Sequence, residues 1–144
     1  MNRILFSLAS ISIVLLLAAQ TVGLSVGDLY AKPQPDEDTL YWATVHRLTG
    51  VAAALAVVFV ESVVVTYFIG TSRWCKEVSE TYRLDPNAVR ASSRLKRRTF
   101  PWALGGMLIV VGIIALGAAG DPATGRDNTQ LWANRHLIGA FLGI

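Results

Sequence analysis

The chain contains two histidines, His46 and His136, and each stands four residues after a tryptophan in segments that match without gaps. Glu37-Asp38-Thr39-Leu40-Tyr41-Trp42-Ala43-Thr44-Val45-His46 aligns with Asp127-Asn128-Thr129-Gln130-Leu131-Trp132-Ala133-Asn134-Arg135-His136. Thr, Trp, Ala and His coincide, and an acidic residue opens both segments. Gly27-Asp28 and Gly120-Asp121 form a further pair, so the pattern predicts one helical hairpin used twice. Trp42 and Trp132 are of the type that anchors a helix at a membrane interface. Four residues inward is about 6 Å deeper along a helix, which places the two imidazoles level, at the N-terminal ends of two parallel helices. Two imidazoles at matching depth can ligate haem iron from opposite faces of a porphyrin. Small residues follow each of them, Gly50, Ala53 and Ala54 after His46 and Gly139, Ala140 and Gly143 after His136, and let a macrocycle approach the backbone. The competing reading has both histidines capping helix ends among headgroups. Copper(I) is disfavoured because no methionine or cysteine lies at that end.

Glu61 is the other chemically unusual residue, an acid within an apolar stretch. It follows His46 by 15 residues, about 22 Å deeper and rotated by roughly 60°, so it is expected to face the bundle interior. There it serves either as a proton relay or as a protonated partner of Ser62, Thr66 or another helix. Gln20 and Thr21 are read as interhelical hydrogen bonders. Cys75, the single cysteine, excludes an intrachain disulfide and any multi-cysteine metal cluster. No Gly-rich phosphate loop, nucleophile elbow or zinc signature is present.

The elements that must carry these residues are apolar. Of the 144 residues, 53% are hydrophobic, and the mean hydropathy is +0.46. The expected fold is an all-α integral membrane bundle of four helices in two hairpins, over about 4–24, 41–70, 101–119 and 132–144. The first stretch exceeds the usual h-region of a signal peptide and is read as a retained helix. The fourth stops too soon to cross a bilayer and is read as truncated. Pro101 is expected at a helix start, and Gly105, Gly112, Ala115 and Ala119 at a packing face.

Charge orients the bundle. The net charge is +3, and eight of the 13 basic residues lie between Ser72 and Thr99, namely Arg73, Lys76, Arg83, Arg90, Arg94, Lys96, Arg97 and Arg98. That concentration marks topology rather than nucleic-acid binding. The positive-inside rule makes the 71–100 loop and Met1 cytoplasmic, in a cell inner (plasma) membrane. Trp74, Val78 and Tyr82 predict a short helix on the membrane surface. Asp85-Pro86 is expected as an N-cap and first helical residue. The arginines after it suit anionic lipid.

His46-Arg47 at the start of the second helix, with His136 on the fourth, resembles one four-helix half of the heme A synthase family. That family carries haem-ligating histidines on the second and fourth helices of each half. The resemblance implies haem b or a haem intermediate between those helices, and adds Arg47 to a cofactor set of His46, His136, Gly50 and Ala140, with Glu61 apart from it. The glutamate that the family places three residues before the second-helix histidine is Ala43 here, and the first external loop lacks the cysteine pair of many bacterial members. The resemblance therefore implies haem holding rather than oxidation chemistry. The functional expectation is a cytochrome b-like protein for electron transfer or haem handling. The alternatives are a noncatalytic subunit or assembly factor docking through the basic loop, within a membrane complex or homo-oligomer, and a proton-coupled transporter using Glu61.

Overall fold

The structure, a computed structural model, describes residues Asn2 to Gly143. Expectations for Met1 and for a helix reaching Ile144 lie outside the described residues. Helix α1 spans Asn2–Ser25, α2 Glu37–Tyr82, α3 Asn87–Gly120 and α4 Thr129–Gly143, with a short 3-10 turn at Pro122–Thr124. Among the described residues there is no strand, so the all-α, four-helix architecture is as expected. Helix α1 packs on α2, α2 on α3 and α3 on α4.

Helices α1, α2 and α3 are long and apolar enough to cross a membrane; α4, at 15 residues, is not among them. The interior is made of small side chains. Ala19, Ala43, Ala53, Ala54, Ala103 and Val110 are buried, whereas Phe6 is 76%, Leu108 72% and Trp102 80% exposed. Large apolar side chains turned outward have no driving force to be there in water. In hydrocarbon they are solvated, and small residues at the contacts let the helices approach closely. Helical backbone pairs most of its polar groups within the helix itself, as a lipid environment requires.

The segment 71–100 departs from expectation. It is not a loop carrying a surface helix. Helix α2 continues through Tyr82, α3 begins at Asn87, and only residues 83–86 turn. Residues 71–82 contain no glycine or proline, and two helical pairs support them, Arg73 Nε to Glu77 Oε1 at 2.8 Å and Lys76 Nζ to Glu80 Oε1 at 3.8 Å. At 46 residues, α2 is about 69 Å long against a hydrocarbon core of about 30 Å, so its last turns stand clear of any bilayer. The helix ends at Arg83, in the left-handed region at φ 52°, whose N–H donates to the Ser79 carbonyl. The two extensions run side by side, with the Ser72 and Ser92 hydroxyls 3.2 Å apart.

Three local expectations are corrected here. Asp85 is not the N-cap of α3; its carboxylate accepts from the Asn87 N–H at 2.9 Å and the Asn87 side chain at 2.6 Å, closing the turn itself. Pro101 lies inside α3, where it withholds one backbone N–H near the foot of the apolar span, a place where water or headgroups can satisfy the freed carbonyl. The packing face of α3 does not run through Gly105 and Gly112, around which a Cβ would meet nothing within 4 Å. It runs through Ala103, Gly106, Val110, Gly117 and Gly120, since three of these are buried and the other two lie against side chains of α2 and α4. At the start of α2 the Asp36 carboxylate accepts from the Thr39 N–H at 2.7 Å. That backbone bond holds its acid below the usual carboxylate range.

Candidate functional site

The two histidines meet. Their ring centroids are 5.9 Å apart, with the planes inclined at 69°. Each ring is held in the same manner by the helix that precedes its own. His46 Nδ1 lies 3.1 Å from the Ala19 carbonyl of α1, and His136 Nδ1 lies 2.8 Å from the Ile113 carbonyl of α3. A carbonyl can only accept, so both rings carry their proton on Nδ1 and donate it. Nε2 is left as the nitrogen with a free lone pair, and neither Nε2 has a hydrogen-bond partner among the described residues. Fixing a tautomer through the far nitrogen is how proteins ready an imidazole for a metal.

Glycines make these contacts possible. A Cβ on Gly23 would come within 2.7 Å of His46 Cε1, and one on Gly117 within 3.0 Å of His136 Cε1. In each hairpin the glycine lies four residues after the accepting carbonyl, Ala19 then Gly23 and Ile113 then Gly117, so the internal repeat extends to the cradle of each ring. Sequence reasoning looked for small residues after the histidines and missed these two on the opposing helices. The available signal was a glycine at equal depth on the first and third helices.

Both rings border one cavity of about 810 Å³ that reaches all four helices. Gly50, Arg47 and Ala140 line it, and the space beside Gly50 is open. Glu61 lines its far end, where a Cβ on Gly106 would lie 3.5 Å from its Oε1; the acid does face the bundle interior. Tyr30 also lines the cavity, at the histidine end. Its hydroxyl donates to the Gly120 carbonyl at 2.6 Å, and burial pushes its phenol above the ordinary value, which keeps the donor proton in place. Tyr41 stacks edge-on against Trp42 and both face outward, while Arg135 lies over Trp132 at 4.6 Å; none of the three aromatics lines the cavity. Arg47 Nε pairs with Asp121 Oδ2 at 2.9 Å, joining α2 to the end of α3.

Gln20 and Thr21 do not bond between helices. Thr21 donates back to the Leu17 carbonyl at 2.8 Å, and the buried Gln20 Nε2 has no partner.

The donor set discriminates among metals. No group of three or more His, Cys, Asp or Glu side chains is placed to hold a metal ion among the described residues. Two imidazoles are too few for a bare structural metal, which takes about four protein ligands. They are what a metalloporphyrin lacks, because the macrocycle supplies the equatorial nitrogens. The cavity volume lies within the range of about 300–1,000 Å³ typical of ligand sites. Against family profiles, curated proteins and solved structures, the chain finds no match.

Proposed function

We propose that this chain is a cytochrome b-like membrane protein that holds haem b between α2 and α4, with His46 and His136 as axial ligands. The observation that carries the reading is the pair of level imidazoles, 5.9 Å apart at one cavity, each donating Nδ1–H to a backbone carbonyl. Haem bound there supplies one-electron chemistry, serving electron transfer or haem handling. The protein's part is to fix both tautomers, to keep the rings from turning through Gly23 and Gly117, and to close the histidine end with Tyr30 against water. The resemblance to a heme A synthase half points the same way.

The arginine-rich ends of α2 and α3 support a placement in the cell inner membrane with that end in the cytoplasm. Arg97 and Arg98 precede Pro101 by only about one turn of helix, so they stand at headgroup height and suit anionic lipid.

Purified full-length protein from cells with ample haem is expected to show a Soret band characteristic of two imidazole ligands. His46→Ala and His136→Ala should each abolish the six-coordinate low-spin spectrum while leaving helicity unchanged. A colourless wild-type preparation overturns the proposal.

A further inference from the structure

We infer that Glu61 balances charge when haem held between the histidines is reduced: an electron gained there draws one proton onto the Glu61 carboxylate. The inference rests on the haem reading above.

Three observations carry it. Glu61 and both histidines border one cavity. Glu61 lies against Gly106, and the Ile113 carbonyl that holds His136 comes seven residues later on α3, about 10 Å along the helix. Between them the cavity is lined by Val57, Ile109 and Val110, which carry no charge to screen one site from the other. Second, the carboxylate is uncommitted. It forms neither a hydrogen bond nor a salt bridge among the described residues, and Ser62, a partner expected from the sequence, donates its hydroxyl to Met107 Sδ at 3.8 Å. Third, water is near. Gly106 follows Pro101 by five residues, about 7 Å of helix, so Glu61 stands close to the polar, arginine-rich end of the apolar span.

The other titratable groups do not compete at this end of the cavity. Of the elements packed on α2, α1 carries only Arg3, in its first turn, and α3 carries none between Arg98 and Asp121. On α4, Arg135 lies over Trp132, and His136 is the proposed ligand. Tyr67 is the one titratable residue of α2 between Glu61 and Arg73. Arg3, Tyr67, Arg98 and Arg135 do not line the cavity. Asp28, Tyr30, Arg47 and Asp121 do, but at the histidine end, where Arg47 pairs with Asp121.

A unit charge added about 12 Å away, at an effective dielectric constant of about 20, shifts a proton equilibrium about tenfold. The step balances. A one-electron donor takes ferric iron to ferrous, the Glu61 carboxylate forms an O–H bond with a proton from water, and the net charge of the interior is unchanged. The coupling is reciprocal. If the electron favours the proton, the proton favours the electron, so reduction becomes harder as pH rises.

The test uses the full chain in nanodiscs, loaded with iron protoporphyrin IX and titrated against redox mediators from acid to alkaline pH. The midpoint potential of the wild type is expected to fall as pH rises. The total fall corresponds to about tenfold in the reduction equilibrium, or about 59 mV for one electron. Glu61→Gln, which keeps the shape but cannot ionise, should abolish the fall and leave the low-spin spectrum unchanged; Glu61→Asp should retain the fall. In the infrared, the reduced-minus-oxidised difference should show a carboxylic acid carbonyl band that Glu61→Gln lacks. A pH-independent midpoint in the wild type overturns the inference. So does an equal fall in Glu61→Gln, which would assign the proton to the histidine end or to the acids of the porphyrin. Loss of haem from Glu61→Gln overturns it too, because the acid would then serve the fold. If the wild type takes up no haem, the haem reading itself falls and this inference with it; if haem binds and the variants behave alike, only the inference falls.

Discussion

At the scale of single residues, the site depends on atoms that are missing. Gly23 and Gly117 have no side chain, and the space where a Cβ would stand is filled by an imidazole edge. A methyl group there must push the ring away from the carbonyl that fixes its proton. If the proposed haem is held there, Gly23→Ala and Gly117→Ala are expected to lower its occupancy and to shift the spectrum towards five-coordinate iron. Gly112→Ala is the matched control, since its added methyl meets nothing within 4 Å. It should leave the spectrum intact and raise stability by up to about 1 kcal/mol, the usual helical preference of alanine over glycine. Visible spectra and thermal melts of the three variants decide the matter. If Gly23→Ala behaves like Gly112→Ala, the glycine cradle has no bearing on the ligand.

At the scale of elements, the notable feature is the pair of helical extensions beyond the apolar spans. Basic residues on α2 and α3 differ in their surroundings although both lie near the same end. Arg73 and Lys76 are paired with Glu77 and Glu80 one turn away, so their fields are largely cancelled locally. No salt bridge is formed by Arg90, Arg94, Arg97 or Arg98 among the described residues. Exposed pairs of the α2 kind contribute little to stability, but they do remove charge that a lipid would otherwise feel. Arg97→Gln with Arg98→Gln should therefore weaken retention of spin-labelled phosphatidylglycerol by roughly 1 kcal/mol per arginine. Arg73→Gln should have a smaller effect or none. Electron paramagnetic resonance of the labelled lipid measures both, and a larger effect from Arg73 contradicts the assignment.

At the scale of the whole molecule, two hairpins close around one cavity, and two polar ties join them at the histidine end. Arg47 joins α2 to Asp121 at the end of α3, and Tyr30, beyond α1, reaches the Gly120 carbonyl. Tyr30→Phe removes the second tie and leaves that carbonyl without its donor. The expected loss is about 0.5–1.5 kcal/mol of stability, read as a lower thermal midpoint. The phenol's raised value also sets a pH dependence. Below the ordinary tyrosine value of about 10 both folded and unfolded forms keep the proton, and nothing changes. As pH climbs past that value the unfolded chain ionises first, so stability falls, and Tyr30→Phe should reduce this alkaline loss.

Residue types and their spacing along the chain were enough to reveal the helical class, the apolar spans, the repeat and the two histidines, because hydropathy and helical rise are properties of a local window. The depth of His46 and His136 was legible for the same reason, since a fixed rise per residue converts sequence distance into height. What a helix faces is not local. That the two rings lie together, that Gly23 and Gly117 receive them, and that Arg47 finds Asp121 depended on the rotation of each helix against its neighbours, which interhelical packing decides. Helix was legible on both sides of the 83–86 turn, but its continuity with the apolar spans was hidden because a change to polar residues was read as the end of each span, whereas paired charges and the absence of breakers over 71–82 let α2 run on. Gln20 shows the limit most plainly. Its type suggested a bond between helices, and only the packed bundle showed its buried amide nitrogen with no partner among the described residues.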